Sequence, residues 1–298
     1  MNLEESVRRW VLENLPHNQS DNALMQELQA KDTHDLLVIF LNWVARLIQP
    51  NPRRIERSKA YTASPYHEEF SNALNQIEKD IREGSILTKY LSKGVLTAYK
   101  PKDSRRGASD LDMLLNDWGI HHLHLSTELQ SDGFVNRTGP LLFARFVHDT
   151  AYLLDIIRHG EWANSNVLET LVEEFPSAGG AYVLKGVLGV SHEHTDDVHM
   201  RLRAAGVNTV RMVGDKAVIG GGYNLQGRTV RAVREASRIL LEIQEFENNW
   251  REDDDRFRKL VKAKGGELPS QPNFEFSIDD RGPLLVETMT RTALRIFS

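Results

Sequence analysis

The sequence predicts an α+β chain with helices at the front, a small antiparallel sheet in the middle, and an α/β segment with a long helix at the end. Three observations carry this. Apolar residues recur at helical spacing over roughly the first eighty positions, strand-like alternation and β-rich runs follow, and turn signals then bound a third region. The predicted parts are a helical domain at 1–85, a β-rich catalytic domain at 86–178, and an α/β domain at 179–298.

In the first part, Val7, Trp10, Val11 and Leu15 keep one buried helix face. Asp21 caps a second helix carrying Leu24, Met25 and Leu28, and Asp32 or Thr33 caps a third running to Ile48, where Pro50 and Pro52 follow. The polar segment 51–65 reads as a loop. Tyr66 to Arg82 reads as one helix with Phe70, Leu74, Ile77 and Ile81 on its stripe, stopped by Gly84.

In the second part, 95–99 has strand character and 101–110 is a loop. Asp110 precedes a helical turn holding Leu111, Leu114 and Leu115, and 120–125 alternates like a strand. The runs 141–147 and 150–157 predict a hairpin closed by His148 and Asp149, which sets Val147 against Thr150 and Arg145 against Tyr152. Trp162 to Phe175 reads as a helix. In the third part a short strand begins at Tyr182, Thr195 caps a helix, and a hairpin turns at Gly214 and Asp215. A long helix spans about Thr229 to Phe257, 262–272 is a linker, and a last hairpin turns at 280–282.

Composition narrows the function classes. The chain of 298 residues has no cysteine, so disulfides, thiolate metal sites and a cysteine nucleophile are excluded. A net charge of −5 argues against a uniformly basic nucleic-acid coat, though not against a local basic patch. The N-terminus lacks an apolar signal core, and the window Leu36 to Ile48 is too short to span a membrane, so the expected location is the cytoplasm. Eight of the eleven histidines lie between His121 and His199.

The densest cluster is Asp117 to Ser126. On a strand, His122 and His124 share a face with Ile120, about 7 Å apart along the strand, while His121 faces the other way with Leu123 and Leu125. Two imidazoles so placed suit a general base and a general acid flanking a phosphate, or two ligands to one metal; otherwise they are half-buried histidines bonded to backbone. Arg145, an arginine inside an apolar strand, needs a partner: Tyr152, a carboxylate such as Asp155, or a bound phosphate. Arg137 before the hairpin, and Arg158 and His159 after it, add cations and an imidazole at the sheet end.

A His-rich strand, a loop with an arginine, and a hairpin followed by basic residues together resemble the small sheet of RelE-type bacterial ribonuclease toxins, over about 95–175. The resemblance implies metal-independent RNA cleavage through the 2′-hydroxyl, with His122, His124, Arg145, Tyr152 and His159 as catalytic candidates. It departs from that family in lacking a lysine-rich end after the hairpin. RNA is then the expected partner, and the N-terminal helices are a place for an antitoxin or a second copy.

Two further features offer alternatives. His192 and His194, with His199 and nearby carboxylates, suit a divalent metal and a metal-dependent hydrolase, or else simply mark a helix start. Arg228, Arg231, Arg234 and Arg238 follow a glycine run at helical spacing and predict a basic stripe for an RNA backbone, or a solvated face paired with Glu235 and Glu242. On that stripe alone, the chain would be a non-catalytic nucleic-acid-binding or regulatory protein.

Overall fold

The computed structural model describes residues 2–18, 20–100, 112–158, 165–192 and 194–297. The α+β expectation holds. The chain forms two compact units: one of Met1–Asn42, Thr97–Ser104 and Ala232–Ser298, the other of Trp43–Leu96 and Arg105–Arg231. Each unit draws on separated stretches of the chain.

The first unit begins with helices α1 (Leu3–Asn14), α2 (Asn22–Gln29) and α3 (Thr33–Val44). Asp21 caps α2 as predicted, its carboxylate accepting from the Leu24 amide. Trp10 packs edge-on against Phe40.

The second unit is built on a four-stranded sheet. Its strands are β1 (Arg54–Arg57), β2 (Ile120–His124), β3 (Pro140–Phe146) and β4 (Thr150–Arg158), in the order β1-β4-β3-β2. The hairpin β3–β4 has the predicted register, with Arg145 opposite Tyr152 and the Val147 amide bonded to the Thr150 carbonyl. The sheet is not wholly antiparallel, however. β1 lies in the segment expected to be a loop, and it pairs parallel with β4. A four-residue strand of sequence RIER carries too little pattern to be read locally, since its partner lies almost a hundred residues away. The expected strand at 95–99 is absent; Lys93–Leu96 is a 3₁₀ turn.

Both faces of this sheet are covered, which is why β3 and β4 are apolar almost without interruption. One face takes Leu123, Leu142, Ala144 and Leu153 against helix α6 (Ser71–Glu83) and Tyr61 of the short helix α4 (Lys59–Ala63). The predicted helix from Tyr66 breaks at Phe70 into α5 (Tyr66–Glu69) and α6. The other face takes Ile120, Leu141, Phe143, Tyr152 and Leu154 against α7 (Met113–Trp118) and α8 (Ser165–Glu173).

Helix α6 also buries two carboxylates. Glu78 accepts from Arg57, Arg82 and the Tyr61 hydroxyl. Asp80 accepts from Gln76 and Tyr90 and pairs with Lys89. Burial pushes the Glu78 carboxyl up, but the bonds from Arg57, Arg82 and Tyr61 outweigh it and hold it below the usual range. Glu78→Ala leaves the buried Tyr61 phenol without its acceptor and removes the carboxylate shared by the more exposed Arg57 and Arg82, so urea denaturation should show a loss of about 1–3 kcal/mol; a loss below about 0.5 kcal/mol would contradict a structural role for the carboxylate.

A small sheet β5-β7-β6 completes this unit: β5 (Tyr182–Val183), β6 (Arg211–Val213) and β7 (Lys216–Ile219), with helix α9 (Asp196–Ala204) between β5 and β6. Thr195 caps α9 and the β6–β7 turn falls at Gly214 and Asp215, both as predicted.

The chain returns to the first unit along α10 (Val230–Glu252), whose first two residues belong to the second. The expected single helix to Phe257 stops short because Asp253 caps a new helix, α11 (Asp254–Ala263). The terminal hairpin is β8 (Phe274–Asp279) and β9 (Gly282–Glu287), joined by a short β10 (Ala293–Leu294) in the order β10-β9-β8. Within this unit β8 packs on α1, where the Phe276 amide donates to Ser6 Oγ at 2.8 Å. Among the described residues, no helix is long and apolar enough to cross a membrane.

Candidate functional site

Strand β2 follows directly from α7 through Gly119, which caps that helix at φ +68°. The alternation of β2 then sends His122 and His124 to the α7–α8 face and His121 to the α6 face.

His122 meets a partner the sequence reading missed. Asp112 caps α7 through Oδ1, which accepts from the Leu115 amide at 3.0 Å. Its other oxygen, Oδ2, lies 3.2 Å from His122 Nδ1. One carboxylate thus caps the helix start and stands beside the imidazole, at ion-pair distance but without hydrogen-bond geometry at Nδ1. The side chains keep 10% and 18% exposure, so the pair is sheltered but reachable. The sequence reading started this turn at Asp110, which lies outside the described residues, whereas the cap is Asp112, a residue inside the predicted turn.

The cross-strand row through His122 ends in a second carboxylate. His122 lies opposite Phe143, and Phe143 opposite Asp155. A bulge puts one extra residue, Leu154, into β4 beside this position. Burial pushes the Asp155 carboxyl up, only partly offset by its bond from the Ile156 amide.

The other candidates are placed differently. His124 is buried, and its Nδ1 accepts from the Thr138 amide at 3.2 Å, which pins the loop before β3. His121 is 8% exposed, sits edge-on to Phe146, and has neither ring nitrogen in a hydrogen bond of normal geometry. Burial, then the nearby His122 and Arg145 charges, lower its pKa to about 3, against a weak opposing contribution from the Ala45 backbone.

Arg145 bonds neither Tyr152 nor Asp155, the protein partners expected for it. Its Nε donates to the Ala178 carbonyl at 2.7 Å, and Nη1 to those of Trp118 at 2.9 Å and Gly119 at 3.2 Å. These carbonyls end α7 and the 3₁₀ turn after α8, so the guanidinium ties two chain ends to the sheet. Desolvation lowers its pKa. Tyr152 is a core side chain packed at a tilt against Phe175. Arg137 is exposed in the loop before β3. At the end of β4, Arg158 donates to the Tyr66 hydroxyl at 2.7 Å beside a cavity of about 350 Å³ lined also by Gly139 and Pro140. His159 lies outside the described residues.

The arginine stripe is interrupted. Arg228 is buried and precedes α10, so it is not on the helix. Arg231 and Arg234 are exposed, and Arg238 is held by Glu235 at 2.6 Å and Glu242 at 2.8 Å. That last arrangement is the self-paired helix face rather than a backbone-binding one.

His192 and His194 are exposed before α9 and, among the described residues, belong to no group of three ligating side chains. His194 lies against His199, which is buried, bonded to Thr209 Oγ1 at 3.0 Å, and lowered to about 4 by burial and the Arg211 charge. The only three-ligand group among the described residues is Asp32, His34 and Asp35 at the start of α3, where Asp32 already caps the helix.

No family model matches the chain, and no curated protein or solved structure matches it.

Proposed function

We propose that the chain is a cytoplasmic endoribonuclease of toxin or phage-defence type, cleaving RNA through its 2′-hydroxyl without a metal. The observation that supports this most is the row His122–Phe143–Asp155, with Asp112 behind the imidazole. It offers an imidazole beside a carboxylate and, two strands away on the same face, a carboxylic acid kept protonated more than usual by burial.

In this reading His122 takes the proton from the 2′-hydroxyl as that oxygen attacks phosphorus. Asp155 gives its proton to the departing 5′-oxygen, leaving a 2′,3′-cyclic phosphate. Asp112 holds the imidazole and stabilises its protonated form. Arg145 is a positioning residue here, because its donors Nε and Nη1 are taken up by carbonyls. Arg158 bonds Tyr66 on the α6 side of the sheet, so the exposed Arg137, next to the Thr138 amide that bonds His124, is the basic residue left for the phosphate.

The test is incubation with mixed RNA and single-stranded DNA, with and without EDTA. RNA alone should be cleaved, equally in EDTA, to cyclic phosphate ends. His122→Ala should lower the rate by about 10²–10⁴ and Asp112→Asn by less, as expected for an acid–base group and its orienting partner. His124→Ala should act through stability rather than through rate in the folded protein. Absence of cleavage by the unaltered chain sinks the enzyme reading; binding without cleavage would favour a non-catalytic RNA-binding protein. Full activity in His122→Ala sinks the site.

A further inference from the structure

We infer that the second unit carries a phosphate subsite formed by Arg145 Nη2, Arg231 and the Tyr182 hydroxyl, which takes a phosphate of the RNA next to the one being cleaved. The identity of the occupant rests on the ribonuclease reading, whereas the anion site itself rests on these side chains alone.

Arg145 is only partly satisfied. Its Nε and Nη1 end on the Ala178, Trp118 and Gly119 carbonyls, but among the described residues Nη2 donates to nothing. Nor is Nη2 sealed in, because the buried polar atoms without a partner belong to other residues. It therefore opens to solvent. It emerges beside Gly179, where a Cβ would meet Arg145 Nη2 at 3.4 Å and nothing else within 4 Å. The missing side chain leaves room for a ligand there.

Two segments bring further groups to this corner. From Gly180, which lies against the guanidinium, the chain reaches Tyr182 in two residues, and Tyr182 is 59% exposed. From the other side, the Asp117 carbonyl, next in sequence to that of Trp118, accepts from the Gly221 amide at 2.7 Å. The Gly222 carbonyl then accepts from the Val230 amide at 3.0 Å. That seats the first residue of α10 at the corner, and the exposed Arg231 follows it. After burial, the strongest influences on the Arg145 charge accordingly come from Tyr182 and Arg231.

The two arginines meet without an acid between them. Among the described residues, no carboxylate acts on the Arg145 charge. Glu235, one turn on from Arg231, is paired with Arg238, and the Asp117 carboxylate is turned to Arg203 Nε at 3.2 Å. Like charges so placed favour an oxyanion, and the guanidinium fork matches phosphate. The Tyr182 hydroxyl adds a neutral donor. Arg145 lies opposite Ile120, two residues from His122 on β2 and on the same face, so the two rows are about 7 Å apart. An RNA strand with its scissile phosphate at His122 presents a neighbouring phosphate to this corner, a contact that orients the strand without entering the chemistry.

The experiment uses the full-length chain and two probes. Inorganic phosphate should raise its Tm above that in chloride of equal ionic strength, and Arg231→Gln and Tyr182→Phe should each reduce that rise. A 2′-O-methyl RNA nonamer, which has no 2′-hydroxyl to attack, reports the RNA arm by fluorescence anisotropy. Arg231→Gln should weaken it at least about fivefold and lower the slope of log K against log salt by about 0.7, the value for one cation on a single strand. Lys79→Gln removes an exposed charge on α6, across the sheet, and should leave that slope unchanged. Circular dichroism checks that the variants fold. No rise in phosphate, a rise unaltered by Arg231→Gln, or equal slopes for Arg231→Gln and Lys79→Gln would each overturn the proposal. Phosphate effects lost in the variants with nonamer binding unchanged would overturn RNA as the source and assign the site to free phosphate. An unaltered chain that shows both binding results but cleaves no RNA would uphold the subsite and sink only the catalytic reading.

Discussion

Gly119→Ala is expected to destabilise the second unit by about 2–5 kcal/mol, far more than an alanine at another glycine of like backbone geometry. Gly119 ends α7 at φ +68°, which an L side chain adopts at a cost of about 1–2 kcal/mol. The larger part of the effect is steric, because a Cβ there would land on the Arg145 guanidinium. Gly180, at φ +88°, closes the other side, with its missing Cβ 2.8 Å from Arg145 Cζ. The arginine thus sits in a slot that two glycines leave open, and its N–H groups end on three carbonyls. Gly133→Ala is the control: φ is +83° and nothing lies within 4 Å of the added carbon, so only the backbone cost of about 1–2 kcal/mol applies. Arg145→Met should match the Gly119 effect, since it leaves the Trp118, Gly119 and Ala178 carbonyls without that donor. Equal urea midpoints for the Gly119 and Gly133 variants would contradict the clamp. A stable Arg145→Met that has lost only RNA cleavage would return Arg145 to the chemistry.

The same residue shows where sequence reading reaches and where it stops. The register of β3 and β4 was legible because alternation and a two-residue loop fix it locally, and Arg145 does lie opposite Tyr152. That a buried arginine needs a partner was also legible. Which partner was not, because carbonyls at Trp118 and Ala178 carry no side-chain signature and lie 27 and 33 residues away. Caps at Asp21 and Thr195 were read correctly because a cap is decided within three residues. Asp253 is also a cap, but it stands in an acidic run inside a helical pattern, where composition hides the break. In the site, the i, i+2 spacing separated His122 and His124 from His121. It gave no way to tell that a helix cap, Asp112, would reach His122, while a loop amide would occupy His124.

His121 should make the second unit lose stability on mild acidification, before most carboxylates titrate. Its folded pKa is about 3, below the ordinary value of 6.5. A depressed folded pKa gives stability that is complete above pH 6.5 and declines as pH falls toward 3, because the unfolded chain binds a proton that the folded chain refuses. The slope is up to about 1.4 kcal/mol per pH unit for each such histidine. His199, lowered to about 4, acts in the same direction. Around the His121 ring stand Arg53, Arg145 and His122, all of which disfavour a further positive charge. Glu78 and Asp80 are held below their usual values, so their share is lost only at lower pH. Asp117 and Asp155, both pushed up by burial, work the opposite way, gaining stability as they take up protons. Comparison with His121→Phe cancels these common contributions. Phenylalanine suits the apolar surroundings beside Phe146 and cannot titrate. Amide exchange of β3, followed from pH 7 to about 4.5 and corrected for intrinsic rates, should show the unaltered protein losing protection more steeply than His121→Phe, the difference approaching one proton. Parallel curves would mean that the folded state tolerates a charged imidazole there, and that the β2 face opposite the His122–Asp112 pair is wetter than its packing implies.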